Sequence, residues 1–80
     1  MQKKIALVTG ASSGIGRSIA ALLSLKGYRV YGTSRNIEPG QVTKGIVSMV
    51  RLDITSEESA KDAVAHIIKC EGRLDALVNN

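Results

Sequence analysis

A doubly wound α/β fold built on a parallel sheet is what this 80-residue sequence predicts, and three observations carry the prediction. Ile5-Ala6-Leu7-Val8 is a short apolar run of the kind that forms a strand covered on both faces. Thr9-Gly10-Ala11-Ser12-Ser13-Gly14-Ile15-Gly16 follows it, and then come apolar residues at helical spacing: a strand, a glycine-rich turn and a helix. Strand-like and helix-like segments keep alternating beyond that point, as they do where crossover helices join parallel strands.

The glycine segment also predicts a ligand. The first N–H groups of a helix lack partners and its dipole favours negative charge there, so a turn of this type suits a phosphate. A side chain at Gly10, Gly14 or Gly16 would obstruct the tight turn or the close approach of a pyrophosphate. These glycines, with Ser12, Ser13 and Ile15 among them, are the first candidate cofactor residues, and the ligand they imply is a dinucleotide. The spacing is G-x-x-x-G-x-G, which is not the G-x-G-x-x-G fingerprint. Nor is it a P-loop, because Arg17-Ser18 follows Gly16 where that motif needs Lys and Ser or Thr after its last glycine.

With Thr9 in front, the pattern T-G-x-x-x-G-x-G resembles the short-chain dehydrogenase/reductase family. The resemblance runs through the whole chain but takes in only the N-terminal, cofactor-binding part of a family member. It implies a Rossmann-type sheet, with residues 1–80 as the N-terminal part of a single NAD(P)-binding domain.

The first helix, from about Gly14 to Lys26, carries Ile15, Ile19, Leu22 and Leu23 on one face and stops at Gly27. Tyr28 to Ser34 is rich in β-formers and reads as the second strand. An acid at the end of this strand would bind the ribose hydroxyls of NAD, whereas an arginine accommodates the extra phosphate of NADP. The sequence offers Ser34-Arg35-Asn36 there, with no acid before Glu38. Arg35 presents a permanently charged fork suited to phosphate. In the resembling family a basic residue at this place marks NADP preference; a second one, sometimes carried at the position of Ser13, is absent here. The cofactor expected is therefore NADP(H), with NAD(H) as the alternative.

Asn36 to Gly45, with Pro39-Gly40, reads as a loop where many such domains have a helix. Ile46 to Leu52 is the third strand, and Asp53-Ile54 stands at its C-terminal end, where open α/β sheets bind ligands. The resemblance gives Asp53 the adenine amino group as partner; a turn-forming aspartate is the alternative. Thr55-Ser56-Glu57-Glu58 is a capping box with Thr55 at the N-cap and Glu58 reaching back. The helix it opens carries Ala60, Ala63, Val64, Ile67 and Ile68 on one face and ends near Gly72. His66 falls beside that stripe with no telling partner, and Cys70 is expected to be partly buried. Leu74 to Val78 is the fourth strand; Asn79-Asn80 after it resembles the start of the family's V-N-N-A-G, which implies roles in holding the central backbone and the ribose side of the cofactor.

The right-handed crossover rule orders these strands 3-2-1-4 and puts the two helices on opposite faces. One helix per face leaves apolar surface bare, so the chain is expected to lack a C-terminal portion and to be marginal alone. In the family a Tyr-x-x-x-Lys pair and a serine perform the chemistry. Neither Tyr28 nor Tyr31 has a lysine four residues on, so no catalytic residue is assigned. The activity implied is hydride transfer between the nicotinamide and a small carbonyl or alcohol substrate, by a protein that in full length is expected to be a homo-oligomer. Two alternatives are a non-catalytic NADP(H)-binding sensor and a sugar-nucleotide epimerase or dehydratase. The glycine spacing disfavours the latter.

Composition is that of a globular chain, with 44% hydrophobic and 22% charged residues. The net charge of +4 comes from scattered basic residues without aromatic interleaving, which argues against nucleic acid as a partner. One cysteine and one histidine exclude an intrachain disulfide and suggest no metal site. No apolar run has the length of a membrane span and no signal peptide is recognisable, so a cytoplasmic location is expected.

Overall fold

Ile5–Val8 (β1) is buried along its whole length, because both faces of this central strand are covered. The computed structural model describes residues 3–11, 14–35 and 45–79. Around β1 they form helix α1 (Gly14–Leu25), strands β2 (Arg29–Ser34) and β3 (Ser48–Arg51), helix α2 (Glu57–Glu71) and strand β4 (Ala76–Val78). The four strands are parallel in the order β3-β2-β1-β4, as the crossover rule requires. Each element lies where the sequence places it, with ends trimmed by one to two residues. Of the expected loop from Asn36 to Gly45, all but Gly45 lies outside the described residues.

Alternation along the strands separates two cores. Ile5, Leu7 and Tyr31 pack with Ile67 of α2 on one face; Val8, Ala11 and Val30 pack with Ala20 of α1 on the other. The helices therefore cover opposite faces.

Their buried stripes are narrower than expected. In α1 the buried positions are Gly16 and Ala20, flanked by half-buried Ile19 and Leu23, whereas Ile15 is 72% and Leu22 54% exposed. Small residues let the helix axis approach the sheet, and the large ones end at the rim. In α2 Ala63 and Ile67 are buried, while Ala60, Val64 and Ile68 lie towards solvent.

The N-cap of α2 is Ser56, not Thr55. Ser56 is extended (φ −113°, ψ 113°), and its hydroxyl accepts from the Ser59 amide at 3.1 Å. Thr55 is unavailable as a cap because its amide and hydroxyl both donate to Asp53 Oδ1, at 2.9 and 2.6 Å. With the cap moved on by one, Ser59 takes the third helical position that Glu58 was expected to fill, and its Oγ accepts from the Asp53 amide at 3.0 Å. The helix ends at Gly72, whose left-handed φ of 80° and N–H to the Ile68 carbonyl form the C-cap.

Cys70 is exposed rather than partly buried: it shares the Ala63–Ile67 side of α2 but stands in the last turn of the helix, beyond the buried positions. His66, one helical turn earlier and also exposed, does have a neighbour after all: its Nε2 lies 3.8 Å from Cys70 Sγ.

At the N-terminal edge of the sheet two arginines are paired with acids. The buried Tyr31 phenol donates to the Glu71 carboxylate, which also accepts from Arg29 Nε at 2.7 Å. Asp75 ties β4 to β1: its Oδ2 accepts from the Ile5 amide at 2.7 Å, its own amide donates to the Ile5 carbonyl at 2.9 Å, and Arg73 grips both its oxygens.

Candidate functional site

Two glycines make the turn after β1. Gly10 has φ 62° and Gly14 has φ 61°, left-handed values that other residues adopt at a cost. Between them the Ala11 amide donates to the Thr33 carbonyl at 3.0 Å, laying the turn across the end of β2. That crossing explains Gly32, which sequence reading passed over: a Cβ there would sit 2.8 Å from the Ala11 Cβ. A glycine inside an otherwise β-rich strand was the available signal, since it marks a close backbone approach.

On its other side the turn is held by β4. The Thr9 amide donates to the Val78 carbonyl at 3.0 Å, and the Thr9 hydroxyl lies 3.3 Å from both that carbonyl oxygen and Asn79 Oδ1. Thr9 thus binds the switch point, where the crossover direction reverses between β1 and β4, to the first asparagine of the Asn79-Asn80 pair. From there Gly14, Ile15 and Gly16 begin α1, whose first turn carries no acidic residue to oppose an anion.

A cleft of about 180 Å³ opens at the C-terminal ends of the strands. Thr9, Gly10, Thr33, Ser34, Arg35, Leu52 and Ile54 line it, so Gly10, Ser34, Arg35 and Ile54 come together as expected. Thr33 and Leu52 are added by the structure; both are buried strand-end residues whose composition gives no functional signal. An adjoining apolar hollow of about 370 Å³ on the α2 side shares Thr9, Leu52 and Ile54 and reaches Leu77 and Asn79. A further depression of about 270 Å³ lies at the opposite edge, but Glu71 and Arg29, which line it, are already paired with each other.

Asp53 stands at this edge in the turn-forming role: Oδ1 is engaged by Thr55. The Thr55 hydroxyl and then its amide hold the carboxyl below its usual range, with smaller contributions from the charges of Arg35 and Arg51. Of the remaining candidates, Ser12, Ser13, Asn36 and Asn80 lie outside the described residues.

A parallel sheet of this order, with a glycine turn crossing its central strands and a cleft at their C-terminal ends, defines a doubly wound protein of the Rossmann type. Residues 4–80 match the short chain dehydrogenase family, and the chain belongs to it. It is 48% identical over 80 residues to a 3-ketodihydrosphingosine reductase of Bacteroides thetaiotaomicron, covering 100% of this chain and 29% of the relative. Among solved structures it is similar to a 3-oxoacyl-(acyl-carrier protein) reductase from Brucella melitensis in complex with NAD, with TM-score 0.88 and 30% identity over 100% of this chain and 34% of the other. A variant of actinorhodin polyketide ketoreductase with NADPH gives TM-score 0.87 and 34% identity, again over 100% of this chain and 34% of the other. The chain thus spans about a third of the length of these proteins.

Proposed function

We propose that residues 1–80 form the N-terminal, cofactor-binding part of a single NAD(P)-binding domain in an NADP(H)-dependent oxidoreductase. When bound, the nicotinamide cofactor supplies or accepts the hydride exchanged with a small carbonyl or alcohol substrate. The observation that carries the reading is the cleft in which Gly10 and Arg35 meet. Gly10, Gly14 and the acid-free first turn of α1 fit a pyrophosphate, and Arg35 fits the phosphate on the adenosine ribose. The family and its reductase relatives support the oxidoreductase class; the NADPH-bound neighbour supports NADP(H) and the NAD-bound one the alternative.

Binding of NADPH and NADH to Arg35→Asp in the full-length protein tests the choice of cofactor. Replacing a phosphate-binding cation by an anion should weaken NADPH at least about tenfold, while NADH stays within about twofold. Equal losses of both would remove the basis for naming NADP(H).

A further inference from the structure

Four of the five described arginines divide by sheet edge; the fifth, Arg17, lies on α1. At the N-terminal edge Arg29 pairs with Glu71 at 2.7 Å and Arg73 with Asp75 at 2.6 Å. At the C-terminal edge Arg35 and Arg51 form no ion pair or hydrogen bond among the described residues. Arg51 is the last residue of β3, and it faces Ser34 across the parallel β2–β3 pair. Leu52, the next residue, donates its amide to the Ser34 carbonyl at 3.0 Å, which fixes the two strand ends together. Ser34 is thereby followed by Arg35 in the chain and flanked by Arg51 across the sheet. Strand alternation sets Ser34 and Arg51 on the same face as Val30 and Gly32, the face over which Ala11 and the glycine turn lie.

The charges of both arginines add, after the bonds from Thr55, to what holds the Asp53 carboxyl below its usual range. Asp53, already held by Thr55, is the carboxylate among the described residues on which both arginines act, and it offsets one of their two positive charges. The local excess suits a phosphomonoester, which carries about −1.5 to −2 near neutral pH.

We propose that Arg51 is a second determinant of cofactor choice, sharing with Arg35 the phosphomonoester on the adenosine ribose. The proposal rests on the NADP(H) reading above and adds a residue from a different strand to it. Two cations placed on either side of one serine clamp a phosphate from two directions, where a single loop arginine gives one contact.

The test is calorimetric binding of adenosine 2′,5′-bisphosphate and of 5′-AMP to the full-length protein, which needs no turnover. Arg51→Gln should lower affinity for the bisphosphate about tenfold and leave 5′-AMP unchanged, with Arg51→Lys recovering part of the loss. Unchanged bisphosphate binding in Arg51→Gln overturns the proposal. So does an equal loss of both ligands in Arg51→Gln and Arg51→Lys. If Arg35→Asp alone removes discrimination between the two ligands, the NADP(H) reading stands and the role of Arg51 falls. A wild-type protein that does not distinguish the two ligands overturns both.

Discussion

A methyl group at Gly32 would lie 2.8 Å from the Ala11 Cβ, 2.8 Å from Met49 Sδ and 2.9 Å from Ile46 Cδ1. The last two atoms end flexible side chains and can withdraw, but the Ala11 Cβ cannot move without the backbone that carries it. That backbone is the glycine turn, held to β2 by the Ala11 amide. Gly32→Ala should therefore destabilise the protein by about 1–3 kcal/mol, the usual cost of overfilling a packed site. It should also weaken dinucleotide binding beyond what the stability loss explains, because the turn is displaced from the cleft. Urea denaturation together with cofactor titration checks both effects. A variant that loses stability but binds normally would show that the turn does not respond to Gly32. Glycine thus serves two needs here: backbone freedom at Gly10 and Gly14, and clearance at Gly32.

At the scale of elements, β1 and β4 are joined at their N-terminal ends through Asp75, and α2 is tied to β2 through Glu71. Arg73 first and the Ile5 amide second hold the Asp75 carboxyl below its usual range; the Tyr31 phenol and Arg29 do the same for Glu71. Carboxyls depressed in the folded state stabilise it above their unfolded values, near 4, and that stabilisation is lost as pH falls through the lower folded values. The urea midpoint should then be flat from about pH 7 to pH 5 and fall below about pH 4, with a shallower fall in Asp75→Asn. An acid limb of unchanged slope in that variant would remove Asp75 from the account. The strands and helices themselves were legible from periodicity and from Gly10, Gly14, Gly27 and Gly72, whose placement follows local rules. The cap at Ser56 was not, because Thr55 and Ser56 are equally good caps until Asp53 occupies Thr55. Nor was Arg51 visible beside Ser34-Arg35, since strand register joins Ser34 and Arg51, seventeen apart in sequence, only once the sheet exists. The narrow buried stripe of α1 escaped for a related reason: the apolar period shows which residues share a face, not how near the axis comes to the sheet.

At the scale of the molecule, the described residues leave open both charged and apolar surface. Arg35 and Arg51 stand without an ion pair among the described residues at the C-terminal edge, and apolar side chains lie open beside α2. Ile54 is 74% exposed, Leu77 60%, Ile68 43% and Val64 37%, and Ile54, Val64 and Leu77 border the hollow of about 370 Å³. Leu25 and Leu22 add 86% and 54% exposure on the α1 side. Contiguous apolar surface of this kind is covered in stable proteins, and β3 and β4 also leave both edges of the described sheet open to pairing. The 80 residues made alone should bind an apolar dye such as ANS and sediment as concentration-dependent assemblies, whereas the same residues within a full-length protein should do neither. Leu77→Lys with Ile54→Lys should reduce dye binding and association of the short chain, since the charges stand on exposed positions and interrupt the patch. If the short chain is instead monomeric, dye-silent and unfolds cooperatively, then one helix on each face suffices for this sheet. The exposed leucines and isoleucines would in that case be scattered surface residues with no partner to meet.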